Sequence, residues 1–412
     1  MNHPRASALQ SRDYTLYLYA RVLGACGMEF LSVGVSWQVY QLTGQAFDLG
    51  LLGFAQFAPF LLLFLPAGAA ADRWPRARIL GTCAALETLC ALGLGLCTLT
   101  GTASFPRLFT LMVCLGMARS FQSPAQQAIV PLLVPPRHFA SAVAWTTMGS
   151  QVARIGGPAL AGGLLLLGQE YVYGAAVGCL VLSTGLTWLI RAQTQIVSQE
   201  RPSLTTLLAG AQFLWSRPVM LGTITLDLFA VLFGGATALL PIYAVDILHV
   251  GEVGFGCLRA AHMAGALVCT LYLSQRPVRR QAGNLMLGMV ALFGATVVVF
   301  GLSTWFWLSL VVLALMGAAD AVSMFIRSHV IQLIPPDDMR GRVSAVNAVF
   351  IGASNELGAF ESGLTAAWWG VVPAVVVGGC ATIAVTLLCL WRLPQLRGMD
   401  SLEQEVMIRQ YR

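Results

Sequence analysis

The sequence predicts an all-α integral membrane protein with twelve transmembrane helices in two pseudo-symmetric six-helix bundles and both termini cytoplasmic. Composition is the first reason. Of 412 residues, 57% are hydrophobic and only 10% charged, too little polar surface to coat a water-soluble globule of this size. The second is length, because apolar runs of about 20 residues, enough to cross a bilayer, recur about twelve times. The third is a weak self-match at an offset of roughly two hundred residues, the mark of a chain built from a repeat.

Taken in order, the first run is Leu16 to Leu42. The stretch before it, Met1 to Thr15, is polar, and the run is too long for the apolar core of a cleavable signal, so it is expected to stay as a span. Leu49 to Ala71 and Ile79 to Leu99 follow, separated by a charged loop, Gly68-Ala-Ala-Ala-Asp72-Arg73-Trp74-Pro75-Arg76-Ala77-Arg78. Leu108 to Leu132, Phe139 to Leu167 and Val172 to Ile190 complete an N-terminal bundle over 1–190. The polar linker 191–217 comes next, and within it Leu204 to Trp215 could lie as a short amphipathic helix on the cytoplasmic surface. The second bundle, 218–391, holds Val219 to Ala244, Val253 to Leu273, Leu285 to Leu302, Trp305 to Ile326, Val343 to Trp369 and Val371 to Leu390, and a tail, 392–412, ends the chain.

Orientation follows from the basic residues, every one of which is Arg. Arg5, Arg12, Arg73, Arg76, Arg78, Arg137, Arg191, Arg201, Arg217, Arg276, Arg279, Arg280, Arg340, Arg342 and the tail from Arg392 all fall on one side, whereas the other offers Arg107. Arginines held on one side mark the cytoplasm. This asymmetry accounts for the formal net charge of +6, which is therefore no nucleic-acid footprint.

The halves match at specific places. Asp72-Arg73-Trp74-Pro75-Arg76 aligns with Gln275-Arg276-Pro277-Val278-Arg279, and Gly116-Met-Ala-Arg119 aligns with Gly317-Ala-Ala-Asp320. Pro135-Pro136 falls on Pro335-Pro336, and Ser141-Ala142-Val143 falls on Ser344-Ala345-Val346.

Ionisable groups at bilayer depth cost roughly 2.5 to 3.5 kcal/mol each, so they are expected to face a cavity or a partner. Glu29, Glu87, Arg119, Arg154, Asp227, Asp320 and Glu356 lie well inside their runs, with Arg259 and Glu361 nearer the outer face. Acids outnumber bases, and a desolvated carboxyl that can take a proton is what proton coupling requires. Arg119 and Asp320 occupy equivalent places with opposite charge, as nearly do Arg154 and Glu356, so either pair could form a gate. Each of these residues is equally readable as half of a buried ion pair that holds helices together.

Other features read as scaffold. Gly156-Gly157-Pro158-Ala159-Leu160-Ala161-Gly162-Gly163 permits close helix approach and a bend. The ten Cys fall in apolar runs, with Cys83, Cys90 and Cys97 on one helix face, and read as packing residues. No Cys-x-x-Cys, Cys/His cluster or nucleotide loop occurs, so neither a metal nor a cofactor is expected. His262 reads as a packed or cavity-facing polar residue, and Trp305, Trp307, Trp368 and Trp369 as an aromatic belt.

The loop from Gly68 through Asp72-Arg73 resembles the connection between helices 2 and 3 of major facilitator superfamily transporters. The runs Leu226 to Pro241 and Met339 to Gly363 resemble the branch containing the enterobactin exporter and related efflux proteins. The resemblance implies the major facilitator fold, in which helices 1, 4, 7 and 10 line a central cavity. Glu29, Arg119, Asp227 and Asp320 would then flank the substrate path, with Glu29 the first choice of proton carrier and Asp227 the second. It implies a conformational gate at the loop of Gly68, Asp72, Arg73 and Arg76, beside the gate that the opposed charges of Arg154 and Glu356 could form, although Pro75 stands where the family usually has Gly and Ala77 where a basic residue is common. Gly157, Pro158 and Gly162 resemble an antiporter motif, with Ala161 replacing one of its glycines.

The expected activity is therefore proton-coupled export of a small amphipathic molecule, a siderophore or drug, by alternating access in a bacterial inner membrane. The protein would act as a monomer with protons, substrate and lipid as partners, without nucleic acid or cofactor and without enzymatic activity. An uptake symporter for a nutrient or metal chelate is the alternative, and a receptor or enzyme built on the same fold a third reading.

Overall fold

The computed structural model describes residues 8–192, 194, 211–276, 281–393 and 397. Outside that set lie Arg201, Arg279 and Arg280, most of the linker with residues 204–210 of the expected amphipathic helix, and nearly all of the tail. Residues 211–215 are helical.

Among the described residues the chain is helical without strands. Its long elements are α1 (Arg12–Thr43), α2 (Ala46–Arg73), α3 (Arg76–Leu99), α4 (Phe105–Leu133), α5 (Phe139–Leu165), α6 (Gln169–Trp188), α7 (Pro218–Phe233), α8 (Gly251–Gln275), α9 (Ala282–Leu302), α10 (Phe306–Leu333), α11 (Asp337–Trp369) and α12 (Val371–Arg392). Local chemistry sets their ends. The Ser11 hydroxyl accepts the Tyr14 N–H at the start of α1 and donates to the Leu133 carbonyl at 2.8 Å. At its end Gly44 takes φ 61°, a left-handed conformation that costs a residue without Cβ little.

Among the described residues nine helical stretches, one of them the interrupted Val219–Ile247, are long and apolar enough to cross a membrane. α4, α5 and α11 are as long, at 29, 27 and 33 residues, but are not among these stretches. Many large apolar side chains, such as Leu62, Leu89, Leu160 and Val268, are exposed, as lipid contact requires. Trp305, Trp307, Trp368 and Trp369 are exposed near helix ends, where an aromatic belt belongs.

One element departs from the expected pattern. The run Val219 to Ala244 is not one continuous helix. After α7 come a 3-10 segment (Gly235–Leu239), a short helical piece (Leu240–Ile242) and a π turn (Tyr243–Ile247). Gly234 and Gly235 weaken the helix, and Pro241 has no N–H to continue it. Packing completes the break, because a Cβ on Gly235 would strike the Gly358 carbonyl and Ser362 Oγ of α11.

The chain forms two compact units, residues 1–44 with 55–202 and residues 45–54 with 203–412. In the first, α1 packs on α5 and α6, and α3 packs on α4 and α6. A cluster around Tyr14, Tyr17, Leu80, Ile129 and Leu133 fills one end of it. In the second, α8 and α9 pack on α10, and α7 and α9 pack on α12, around a core that includes Met220, Met286 and Ile326. Backbone approach is closest between α8 and α10, where any side chain on Gly265 would meet Ala314 and any on Gly317 would meet the His262 backbone.

Candidate functional site

Each unit holds its own set of polar groups within its helices. In the first unit, Glu29 projects from α1 at half-burial and lies against Gly157 of α5. A Cβ at Gly157 would come within 2.7 Å of the Glu29 Cβ and 3.3 Å of its Cγ, so only glycine lets α5 lie flat on this acidic residue. Pro158 and Gly162 continue the same segment and are buried. On α4, Arg119 is exposed, and its Nη1 donates to Gln56 Oε1 at 3.5 Å. One turn on, Gln122 Nε2 donates to Glu87 Oε2 at 3.1 Å, and Glu87 is 2% exposed. Arg154 of α5 is exposed.

In the charged loop, Gly68 lies near the end of α2 at intermediate exposure and Arg73 is exposed; the Asp72 side chain lies outside the described ones. Arg76 is tucked in. Its Nη1 donates to the Ala128 carbonyl of α4 at 3.1 Å, and its backbone N–H donates to the Thr194 carbonyl at 3.3 Å. These bonds fix Arg76 within its own unit.

In the second unit, Asp227 of α7 forms an ion pair with Arg327 of α10, and the two are 4% and 3% exposed. A small cavity opens beside the pair, lined by Asp227, Val290, Phe293, Asp320 and Ser323 among others, with about 10 Å³ of room for the centre of a water molecule. That is about the minimum that holds one water. Asp320 is half-buried at this cavity, and the Ser323 Oγ is buried without a hydrogen-bond partner. Glu356 of α11 is half-buried and faces the start of α2; a Cβ on Gly53 would sit 3.0 Å from its carbonyl and 3.6 Å from Oε2.

The structure thus brings Asp227 and Asp320 to one cavity and Glu29 to the Gly157 segment. Sequence reasoning missed Arg327, Gln56, Gln122 and Ser323. Arg327 had a signal: it lies seven residues after Asp320, two turns along the same helix face. The glutamines and the serine carry no charge to mark them. Among the described residues no group of His, Cys, Asp or Glu is placed to hold a metal ion.

Comparison with known proteins agrees with this architecture. The family model described as transmembrane secretion effector matches residues 6–410. The enterobactin exporter EntS of Citrobacter koseri is 27% identical over 384 residues, covering 92% of this chain and 91% of that protein. Among solved structures, an inward-facing, unoccupied bacterial homologue of the human lysosomal transporter Spinster superposes with TM-score 0.71 at 13% identity, covering 98% of each chain. A POT family transporter in complex with a thioalcohol-conjugated peptide superposes with TM-score 0.74 at 12% identity, covering 95% of this chain and 100% of that one. The protein belongs to the transmembrane secretion effector family of major facilitator transporters, and is a multi-pass membrane transporter rather than an enzyme.

Proposed function

We propose that the protein is a proton-coupled exporter of a small amphipathic, siderophore-like molecule, working by alternating access in a bacterial inner membrane. The observation that carries the coupling is the seat of Glu29, a carboxyl inside a membrane helix backed by the Gly157 of an antiporter-like segment. A proton arriving down its gradient neutralises such a carboxyl and shifts the balance between conformations. Siderophore export is supported by the relatives named as enterobactin exporters.

In this reading the chain crosses the membrane twelve times, α4, α5 and α11 adding to the nine apolar stretches. Their polar side chains are then those of cavity-facing spans. Both termini are cytoplasmic, the bundles 1–190 and 218–391 are the moving bodies, and the monomer is the working unit. The charged loop and the Arg154 and Glu356 positions supply the gate.

The test is proton movement in proteoliposomes under an imposed pH gradient, challenged with enterobactin, other siderophores and lipophilic cations. Proton efflux from the lumen driven by substrate entering it, or the reverse exchange, establishes antiport. Co-directional movement of proton and substrate would establish a symporter and refute export. Silence across the panel with folded protein would refute the siderophore assignment.

A further inference from the structure

We propose that Asp320, rather than Asp227, is the carboxyl of the second unit that takes up and releases a proton, and that Arg327 holds Asp227 ionised. The inference deepens the proton-coupled reading and rests on it. It begins from charge. Asp227, Asp320 and Arg327 together carry one net negative charge around a cavity otherwise walled by Ala230, Val231, Val290, Phe293 and Ala319. One proton neutralises the cluster, and the two carboxyls are not equivalent acceptors for it.

Protonating Asp227 would strand the Arg327 guanidinium, 3% exposed, without the carboxylate it is paired with. An isolated buried charge is among the costliest arrangements a protein can hold. Protonating Asp320 strands nothing. Its Cα lies two turns from that of Arg327, about 10 Å along the helix axis, and the Asp227–Arg327 pair stays intact. Asp320 is also the more accessible of the two acids, half-buried where Asp227 is 4% exposed.

Ser323 is the second, independent mark of the site. Its hydroxyl is buried, has no hydrogen-bond partner and lines the same cavity one turn from Asp320. The cavity that Ser323 lines with the two aspartates has about the room one water needs, and such a water would supply the partner that its hydroxyl lacks. Proton transfer then breaks an O–H bond of a hydronium and forms one on the Asp320 carboxyl; release runs the same step backwards. Other titratable or charged groups stand off. α9 contributes Val290 and Phe293 to the lining. On α8, His262 hydrogen-bonds the Leu313 backbone, and Arg259 lies three residues before it. Glu356 and Glu361 belong to α11; none of these four is among the lining residues.

The experiment is infrared difference spectroscopy of the full-length protein in lipid, cycled between mildly acid and mildly alkaline buffer without substrate. The expected result is a protonated-carboxyl band that Asp320→Asn removes and Asp320→Glu shifts. The band survives in the double variant Asp227→Asn/Arg327→Gln, which deletes the pair without changing the net charge. Persistence of the whole band in Asp320→Asn, its loss from a folded double variant, or its displacement by sodium would overturn the proposal. Because the spectra need no substrate, the expected bands beside a silent transport assay would refute the siderophore assignment and still support the proton site.

Discussion

Gly157 lies so close to Glu29 that a Cβ there would stand 2.7 Å from the Cβ of the acid, nearer than two such carbons can approach. The two residues belong to α5 and α1, which pack along much of their length. Since the obstacle is the rigid root of the Glu29 side chain rather than its flexible tip, an added methyl must push the helices apart. Gly157→Ala is expected to cost about 1–3 kcal/mol of stability and to abolish substrate-driven proton flux by displacing Glu29. Gly156→Ala is the matched control, because a Cβ there meets nothing within 4 Å. Thermal unfolding and flux measured on both variants check this; equal behaviour of the two would remove the contact from the mechanism.

The buried Asp227–Arg327 pair predicts a non-additive stability pattern. Asp227→Asn or Arg327→Gln alone leaves a buried charge unpaired, at a cost of about 3–5 kcal/mol. The combined variant leaves no charge behind, so it should be more stable than either single one. A double-mutant cycle on detergent-solubilised protein reads the coupling; additive losses would show that the pair contributes nothing beyond its separate side chains.

How far the sequence disclosed these arrangements follows from what carries each of them. Apolar runs and the Arg asymmetry are long-range, redundant signals, and most expected helices fall within a few residues of the observed ones. The break after Phe233 was not visible in hydropathy, because Gly235 and Pro241 are apolar in composition and disrupt the helix only through backbone approach to Gly358 and a missing N–H. The acids at bilayer depth were legible one at a time. Their partners were not, since Arg327 meets Asp227 from another helix, and Gln122 meets Glu87 across a sequence separation of 35 residues. Arg76 shows the same limit: the family resemblance implied a part in a gate, while its bond to the Ala128 carbonyl is a property of packing.

Glu87 is predicted to be structural. It is buried, and its Oε2 accepts the Gln122 amide at 3.1 Å. Glu87→Gln retains an acceptor oxygen for that amide and is expected to keep both fold and transport. Glu87→Leu takes the acceptor from the half-buried Gln122 amide, costing about 1 kcal/mol or more. Unfolding midpoints of the two variants should therefore separate, with Gln near wild type. Loss of proton-coupled transport in a stable Glu87→Gln protein would instead make this carboxyl part of the proton path.

The start of α2 crosses α11 backbone to backbone, and the two glycines at the crossing predict a graded response. A Cβ on Gly363 would come within 2.6 Å of the Gly50 Cα and 2.8 Å of the Ala46 carbonyl, whereas one on Gly50 would meet its nearest neighbours, the Gly363 Cα and the Phe360 carbonyl, at 3.0 Å. Main-chain atoms cannot rotate away as a side-chain tip can, so the shorter approach is the more damaging. Gly363→Ala should therefore lower the unfolding midpoint more than Gly50→Ala, within an overpacking cost of about 1–3 kcal/mol. Phe360 supports the crossing through tilted ring contacts with Phe54 at 5.5 Å and Phe47 at 6.2 Å. Phe360→Leu should lose those ring contacts, worth about 0.5–1.5 kcal/mol each, without obstructing the backbone. Thermal unfolding of the three variants in one detergent decides the matter: if Gly50→Ala proves as harmful as Gly363→Ala, distance to the opposing backbone does not govern this crossing.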